Sequence, residues 1–344
     1  MGGIKTAGPI IVTGGAGYIG SHTAALLLQE GYEVVIWDSL VNARAEVIDR
    51  IQRVTGVRPA FQRVDLRRKE QLKAALHGMA GPPQAVIHFA ALKAVEESVR
   101  EPLMYYQNNI GGLLNLLAAL PPQTPFLFSS SCTVYGEPDE VPITEAAPFK
   151  PAASPYGATK QMSEQILMDV ARADGRPVIA LRYFNPAGAH PSAMLGEFPI
   201  QPPTNLVPVI TQAAIGRREK VVVFGNDYPT PDGTPIRDYI HIMDLAEAHL
   251  AALRRLLNSE MEAPYEAYNV GTGQGYSVLE MIRTFEEVNG VRVPYEIGPR
   301  RPGDITAIWA DPTRAADKLQ WKARRGLAEM LRSAWAWEKS LTTP

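Results

Sequence analysis

A glycine-rich turn between an apolar run and a helical pattern constrains the fold of this chain more than any other feature. Ile10 to Thr13 form the apolar run, and glycines follow at positions 14, 17 and 20 before a helical pattern. Glycines at this spacing let backbone approach a pyrophosphate at a helix N-terminus, where free N–H groups and the helix dipole favour anions. A second apolar run ends at Asp38, where a carboxylate can accept hydrogen bonds from an adenosine ribose and repel a 2′-phosphate. Together these features predict a dinucleotide-binding unit that takes NAD rather than NADP.

Further apolar runs alternate with helical patterns, such as those over residues 103–120 and 155–172. The runs end at Asp65, at Ala90 and Ala91, at the serines 129–131 and at Arg182. Nearly continuous apolar strands that alternate with helices predict an α/β fold, a doubly wound parallel (Rossmann) sheet covered on both faces. Ligands of such sheets bind at the carboxyl ends of the strands, so the residues that end these runs should surround one site.

The sequence changes character after about Tyr183. Residues 185–208 are rich in proline and asparagine, and an apolar run from Val221 to Phe224 follows. A length of 344 residues is enough for about two domains. We therefore predict an NAD-binding Rossmann domain over residues 1–184. A second, smaller α/β substrate-binding lobe is predicted over residues 185–344, with some segments returning to pack on the first domain.

Charge, cysteine and histidine content narrow the functional classes. A formal net charge of −2 provides no basic surface for nucleic acid and no polybasic patch for membranes. Cys132 is the only cysteine, so no internal disulfide can form, and we expect a cytoplasmic protein. The six histidines show no metal-ligand spacing, so we expect no metal site. Residues 1–9 lack the apolar run of a signal peptide.

The segment from Ser154 to Lys160 contains the best candidate for acid–base chemistry. Ser154 can cap a helix and Pro155 fits its first position, so Tyr156 and Lys160 should lie four residues apart on one helical face. Tyrosine, with an ordinary pKa of about 10, is a poor base at neutral pH, but a cation fixed close by lowers that pKa. A lone Tyr-x-x-x-Lys is more often a half-buried tyrosine beside a solvated lysine, so the rest of the chain must decide.

Six segments in this order and spacing carry a family resemblance. They are TGGAGYIGSH (13–22), HFAALKAVEES (88–98), SSSCTVYGE (129–137), SPYGATK (154–160), RYFNPAGAHP (182–191) and RDYIHIMDLA (237–246). From about residue 10 to residue 337 the chain closely resembles the UDP-glucose 4-epimerase family of the extended short-chain dehydrogenase/reductase superfamily. The resemblance implies an isomerase of galactose metabolism that interconverts UDP-glucose and UDP-galactose by C4 epimerisation. A transient 4-keto sugar would form, with bound NAD taking and returning the hydride.

The resemblance also implies roles for individual residues. Tyr156 would be the catalytic base and acid, Lys160 would lower the pKa of Tyr156 and hold the nicotinamide ribose, and Ser131 would bond the sugar 4-oxygen. The implied cofactor contacts are Gly14, Gly17, Tyr18, Ile19, Gly20, Asp38, Ser39, Asn42, Asp65, Leu66, Phe89, Ala90, Ala91, Lys93, Asn108, Ser129, Tyr156, Lys160, Tyr183 and Phe184. The implied substrate contacts are Lys93, Ser131, Thr133, Tyr156, Phe184, Asn185, Asn205, Leu206, Val223, Phe224, Arg237, Tyr239, Arg301, Asp304 and Ile308. The two arginines would hold the UDP diphosphate through charge-assisted hydrogen bonds.

Several alternatives share this chemistry. A nucleotide-sugar 4,6-dehydratase uses an Asp-Glu pair directly after the residue that matches Ser131, and a decarboxylase uses Glu at the second of these positions; here they are Cys132 and Thr133. An epimerase of another UDP sugar (an N-acetylhexosamine, a uronate or a pentose) stays open, because Ile308 is intermediate in size at the family's gate near the sugar 2-substituent. A non-catalytic NAD-binding protein would usually have lost Tyr156 or Lys160. Ser39 and Ala43 stand where the family often has Asn and Ser, so fewer side chains should contact the adenosine ribose.

The resemblance implies a homodimer in which two helices pair across a two-fold axis. The matching segments are the helix that begins near Tyr156 and an apolar stripe formed by Ile110, Leu113, Leu114 and Leu117. The same side chains could instead face the sheet, and one helix could do both.

Overall fold

The computed structural model describes residues 8–301 and 304–341. Residues 1–7, 302–303 and 342–344 lie outside the described residues, although the predicted domains and the N-terminal segment include them. The strands are β1 Ile10–Thr13, β2 Val34–Asp38, β3 Ala60–Arg63, β4 Ala85–His88, β5 Phe126–Ser131, β6 Val178–Tyr183, β7 Asn185–Ala187, β8 Val221–Phe224, β9 Ile236–His241, β10 Tyr265–Val270, β11 Gly275–Ser277, β12 Tyr295–Gly298 and β13 Ala307–Ile308. The helices are α1 Tyr18–Gln29, α2 Glu46–Thr55, α3 Lys69–His77, α4 Val95–Arg100, α5 Pro102–Tyr105, α6 Gly112–Ala119, α7 Pro155–Asp174, α8 Leu206–Ala214, α9 Ile242–Leu257, α10 Val278–Asn289, α11 Thr313–Leu319 and α12 Leu327–Ser340.

The predicted parallel sheet is confirmed. Within the described residues it has seven strands in the order β10-β6-β5-β4-β1-β2-β3, and every neighbouring pair is parallel. Side chains alternate between its faces: Ile10 and Val12 pack into one apolar layer with Leu27 of α1, whereas Ile11 packs into the other with Leu167 of α7. Helices therefore cover both faces, and all the carboxyl ends of the strands meet at one edge.

Smaller sheets form beyond residue 184. β9 pairs in parallel with β7 and β13 and antiparallel with β11, and β8 pairs in parallel with β12. These strands pack with α8, α10 and α12 around a separate apolar cluster that includes Ile210, Phe285 and Leu331. Strand β10 instead joins the edge of the large sheet beside β6. The division into two lobes at residue 184 stays a prediction, and β10 is one segment after that boundary that lies in the large sheet.

Two local features differ from the sequence pattern. The helical pattern over 103–120 forms α5, a π-helical segment at Tyr106–Gly111 and α6, rather than one uniform helix. Strand β5 continues through Ser131, so the serine run is part of the strand instead of following it. Among the described helices, none combines the length and apolar character that crossing a bilayer would need.

Candidate active site

The glycine turn after β1 is packed against neighbouring backbone. Gly14 has a φ of +69°, a left-handed conformation that favours glycine. A Cβ atom at Gly14 would lie 2.7 Å from the nitrogen of Ala90, and one at Gly20 would overlap the carbonyl oxygen of Gly14. Helix α1 begins at Tyr18, and no side chain caps it. The N–H groups at its start are therefore suited to an anion such as a pyrophosphate.

Asp38 lies at the end of β2 beside this turn and is 8% exposed. Its Oδ2 accepts the N–H of Ala16 at 3.1 Å, and its Oδ1 accepts the N–H of Leu40 at 2.8 Å. Burial raises the pKa of Asp38 above its ordinary value, and the two N–H donors act in the opposite direction. Each carboxylate oxygen keeps a lone pair for another donor. With the close-packed glycine turn, these residues fit the ribose and pyrophosphate of NAD.

The other predicted adenosine contacts are partly engaged within the chain. Arg67 binds both oxygens of Asp65, at 2.9 and 2.7 Å, and this pairing lowers the pKa of the carboxyl group. Leu66 has its side chain in the core, so a contact from it would use backbone atoms. The Asn42 Oδ1 accepts the N–H groups of residues 200 and 201 at 3.2 Å, and the Ser39 carbonyl accepts a bond from Arg63.

The loop after β4 is held by a residue that the sequence reasoning missed. Asn109, in the π-helical segment, accepts the N–H of Leu92 at 2.9 Å and donates to its carbonyl at 3.0 Å. It also donates to Thr159 of α7 at 3.0 Å. The predicted contact Asn108 donates to Asn109 at 3.0 Å. Phe89, Ala90 and Ala91 belong to this loop, and Phe89 donates its N–H to Thr13 at the end of β1.

A second missed residue, Glu197, joins two of the predicted contacts, Lys93 and Asn205. Its Oε1 accepts bonds from Lys93 Nζ and from Asn205 Nδ2, both at 2.8 Å. Asn205 is the N-cap residue of α8, but its side chain makes no capping bond because it turns to Glu197. Leu206 is the first residue of that helix. No motif in the sequence singles out Glu197, since its partners lie 104 and 8 residues away.

Tyr156, Lys160 and Ser131 come together at the carboxyl edge of the sheet. Ser154 caps α7 by accepting the N–H of Gly157 at 3.2 Å, and Pro155 fills the first position, as predicted. Lys160 is 4% exposed and donates to the carbonyl of Ser129 at 2.7 Å. Its Nζ lies 5.9 Å from the centre of the Tyr156 ring.

That Lys160 lowers the pKa of Tyr156 stays a prediction, and in the protein chain by itself burial has the larger effect on this phenol. Burial raises the pKa of Tyr156, with Tyr183 acting in the same direction and Ser131 in the opposite one. Burial also lowers the pKa of Lys160 to about 8, although Glu164 acts to raise it. The Lys160 ammonium group donates to the Ser129 carbonyl, and burial disfavours the charged form of both side chains. At neutral pH the chain therefore holds a neutral phenol beside a charged lysine.

The surroundings of this trio are apolar but contain groups that could bind a sugar. The hydroxyl of Thr133 is buried and has no hydrogen-bond partner within the described residues. The hydroxyl of Tyr183 bonds that of Ser129, and burial raises the pKa of Tyr183 to about 12. Phe184 and Ile308 pack together in an apolar cluster with Tyr135. The orphan hydroxyl of Thr133 fits a polyhydroxylated ligand.

Several of the predicted UDP contacts lie on or beside the small sheet that contains β7, β9 and β13. Arg237 of β9 forms an ion pair with Asp304, and Arg301 lies over the ring of Phe224 at 4.3 Å. Ile308 is in register with Arg237, and Asn185 of β7 is in register with Tyr239. Val223 is fully buried in the apolar cluster that includes Ile210 and Phe285, so a contact from it would use backbone atoms. The paired Arg237 would have to exchange Asp304 for a phosphate.

Known proteins resemble this chain over almost all of its length. A family model described as GDP-mannose 4,6 dehydratase matches residues 11–334. UDP-glucose 4-epimerase of Bacillus subtilis is 51% identical over 96% of this chain and 97% of its own. This chain belongs to the UDP-glucose 4-epimerase family. A crystal structure of a UDP-glucose-4-epimerase from Stenotrophomonas maltophila, with bound NAD and formylated UDP-arabinopyranose, is 47% identical, with a TM-score of 0.91 over 97% of this chain and 99% of that one. The crystal structure of the Bifidobacterium longum UDP-glucose 4-epimerase, in complex with NAD⁺ and UDP, is 42% identical. Its TM-score is 0.91, and the match covers 96% of this chain and 98% of that one.

This member of the UDP-glucose 4-epimerase family lacks the carboxylates expected of a dehydratase. Cys132 and Thr133 stand at the two positions. Burial raises the pKa of the Cys132 thiol to about 12, so the thiol stays protonated at neutral pH. A protonated thiol and a threonine hydroxyl are poor substitutes for the acid and base of an elimination.

Proposed function

We propose that this chain interconverts UDP-glucose and UDP-galactose by epimerisation at C4, with NAD bound at the glycine turn. One observation carries the proposal: Tyr156, Lys160 and Ser131 meet at the carboxyl end of β5, and β5 is separated only by β4 from the strand that precedes the turn. The ion-pairing residues of the second lobe support a nucleotide-diphosphate handle beside that site. The proposed localisation is the cytoplasm.

The chain supplies acid–base chemistry and geometry. When bound, NAD supplies the group that takes the C4 hydride and gives it back. Tyr156, as phenolate, removes the proton of the 4-hydroxyl group, and loss of this proton together with the C4 hydride gives a 4-keto sugar. Ser131 holds the 4-oxygen. Arg237 and Arg301 retain the diphosphate while the ketose turns over within the pocket. Tyr156 then returns the proton to the 4-oxygen, the sugar has the opposite configuration, and no net oxidation occurs.

Charge at the site decides whether Tyr156 can act as a base. Because burial raises the pKa of Tyr156, the phenolate requires nearby positive charge. Lys160 carries that charge below a pH of about 8. We therefore assign to Lys160 the stabilisation of the phenolate and the binding of the nicotinamide ribose.

Product analysis tests this function. The purified protein is incubated separately with UDP-galactose and UDP-N-acetylgalactosamine, and the products are identified by chromatography. We expect UDP-glucose from the first incubation. A 4-keto-6-deoxy sugar nucleotide would instead identify a dehydratase, and NAD binding without any product would favour a non-catalytic protein.

Ile308 provides a test of sugar specificity. It is 2% exposed and packs against Phe184. Ile308→Ala should admit a larger 2-substituent and raise the kcat/KM for UDP-N-acetylgalactosamine relative to UDP-galactose by roughly 10-fold. The cavity should cost about 2–4 kcal/mol of stability, so a thermal unfolding curve accompanies the assay. An unchanged ratio would show that Ile308 is not the gate.

We propose a homodimer formed through α4 to α7. The predicted stripe is divided: Leu113 and Leu117 face the sheet, whereas Leu114 is 48% exposed. Large apolar side chains on neighbouring helices are also exposed, Leu103 at 73% and Met162 at 46%. Exposed apolar side chains grouped in this way are typical of a protein interface, and a second copy fits the family expectation.

Leu103→Glu tests the proposed dimer. A charge placed in an apolar interface should raise the dimer dissociation constant at least 10-fold while the fold is retained, because Leu103 is already exposed in one chain. Sedimentation velocity measures the change. Val57→Glu is the matched control, since Val57 is 50% exposed after α2, away from these helices. Equal effects of both substitutions, or none from Leu103→Glu, would contradict the proposed interface.

A further inference from the structure

A buried carboxylate lies directly behind the proposed catalytic groups. Glu164 is on α7, one turn after Lys160 and two turns after Tyr156, and it is fully buried. Its Oε1 accepts bonds from Arg182 Nε at 3.0 Å and from the hydroxyl of Ser130. Its Oε2 accepts bonds from Arg182 Nη2 at 2.6 Å and from the hydroxyl of Tyr265 at 2.7 Å. Both oxygens are thus saturated by donors from three strands.

These partners place Glu164 between the helix and the serine run. Ser130 lies between Ser129, whose carbonyl accepts the Lys160 ammonium, and Ser131, which acts on Tyr156. A bond from Ser130 to Glu164 therefore fixes the strand next to both contacts. Arg182 precedes Tyr183, the last residue of β6, and also donates to the Tyr135 hydroxyl at 2.9 Å. A buried hydrogen-bond network in which every group is satisfied is rigid, so these bonds limit the positions that Ser130 and Arg182 can adopt.

We propose that Glu164 is a positioning residue that holds the serine run of β5 against the helix bearing Tyr156 and Lys160. This inference rests on the proposed function, because the position of these groups matters only if they act on a ligand. Glu164 is two helical turns from Tyr156 and is sealed from solvent, so it acts through its neighbours.

The negative charge of Glu164 also affects the pKa of Lys160. Burial lowers the pKa of Lys160 to about 8, and Glu164 acts to raise it. Other ionisable groups surround Lys160 and Glu164. On the strands these are His88 of β4, Arg182 and Tyr183 of β6, and Tyr265 of β10. The remaining ones are Tyr156 on α7, Cys132 and Tyr135 after β5, Tyr105 on α5 and its partner Glu97 on α4. Removing the Glu164 charge leaves Arg182 with only the more distant attraction of Glu145, so the pKa of Lys160 should fall further.

The chain offers a matched control. Glu266 is 3% exposed, and it accepts bonds from Arg255 at 2.7 and 3.1 Å and from the hydroxyl of Tyr268 at 2.6 Å. This second buried carboxylate, with an arginine and a tyrosine, follows Tyr265 on β10, but its side chain points to the opposite face of the strand and binds Arg255 of α9. Glu266→Gln therefore reproduces the loss of a buried charge without touching the serine run.

The experiment compares Glu164→Gln with Glu266→Gln in the NAD-loaded protein and in the protein without ligands. We expect Glu164→Gln to lower kcat for UDP-galactose by roughly 10- to 100-fold, with KM changed less than about threefold. The alkaline limb of the kcat profile should move to lower pH by about one unit, because Lys160 loses its proton earlier. Titration of the Lys160 ε-carbon by ¹³C NMR, assigned with Lys160→Met, should show the same fall without any substrate. Glu266→Gln should keep kcat within about twofold and leave both profiles unchanged.

The two variants distinguish a positioning role of Glu164 from a purely structural one. Equal losses in the two variants, or a folded Glu164→Gln with wild-type kcat and Lys160 titration, would overturn it. If Glu164→Gln does not fold, Ser130→Ala decides: a three- to tenfold fall in kcat supports the positioning role, and an unchanged kcat rejects it. A wild-type protein with no activity on UDP-galactose would reject the proposed function, while the NMR titration would still test the link between Glu164 and Lys160.

Discussion

Tyr156→Phe should abolish most epimerase turnover and leave a folded protein that binds NAD. The substitution removes the only group assigned to take the proton of the sugar 4-hydroxyl. Positioned acid–base groups contribute about 10²–10⁴-fold, so kcat should fall by that factor with UDP-galactose as substrate. The phenol hydroxyl interacts with Ser131, and losing one such bond costs about 1 kcal/mol. Coupled assay of UDP-glucose release measures the effect.

Tyr32→Phe is the control for this substitution. Tyr32 is 6% exposed, and its hydroxyl is buried without a partner within the described residues. Losing that hydroxyl should not destabilise the fold, and kcat should stay at the wild-type value. Near-normal turnover of Tyr156→Phe would exclude Tyr156 as the base.

Lys160→Met should remove activity and at the same time stabilise the protein without ligands. Turnover should fall roughly 10²-fold or more, because the cation that favours the Tyr156 phenolate is gone. The fold lowers the Lys160 pKa from 10.5 to about 8, a difference that corresponds to roughly 3 kcal/mol of unfavourable free energy at neutral pH. In the variant the Ser129 carbonyl loses its hydrogen bond to Lys160, which reduces this gain in stability by about 1 kcal/mol or more. We therefore expect the free energy of unfolding at pH 7 to rise by about 1–2 kcal/mol.

The pH dependence of stability gives this prediction a definite sign. Between pH 8 and 10.5 the unfolded chain keeps the Lys160 proton and the folded chain has lost it. Stability rises with pH wherever the unfolded state binds more protons, so Lys160 contributes a rise across this interval. Lys160→Met should lack that contribution in urea unfolding measured from pH 7 to 10. Lys73→Met, at a lysine whose side chain is 64% exposed, should keep it. A destabilised Lys160→Met protein with the wild-type pH dependence would show that Lys160 is not strained by burial.

The fold and the cofactor cradle could be predicted because they depend on local patterns. The apolar run before Gly14, the glycine spacing and the position of Asp38 are short-range features, and each predicts its own structure whatever lies elsewhere. Ser154 and Pro155 likewise define the start of α7 within a few residues. The six sequence motifs, taken together in their order along the chain, were enough to indicate the family, because each one belongs to a different part of the same site.

The charge state of the site and its supporting contacts were decided by the tertiary structure. The sequence places Tyr156 and Lys160 on one helical face, but the sign of the shift in the Tyr156 pKa depends on how much water the packed segments exclude. Asn109, Glu164 and Glu197 act through partners up to 104 residues away along the chain, and no periodicity records such pairs. Local patterns determine backbone conformation because neighbouring residues set it, whereas solvation and side-chain pairing depend on which distant segments the completed fold brings together.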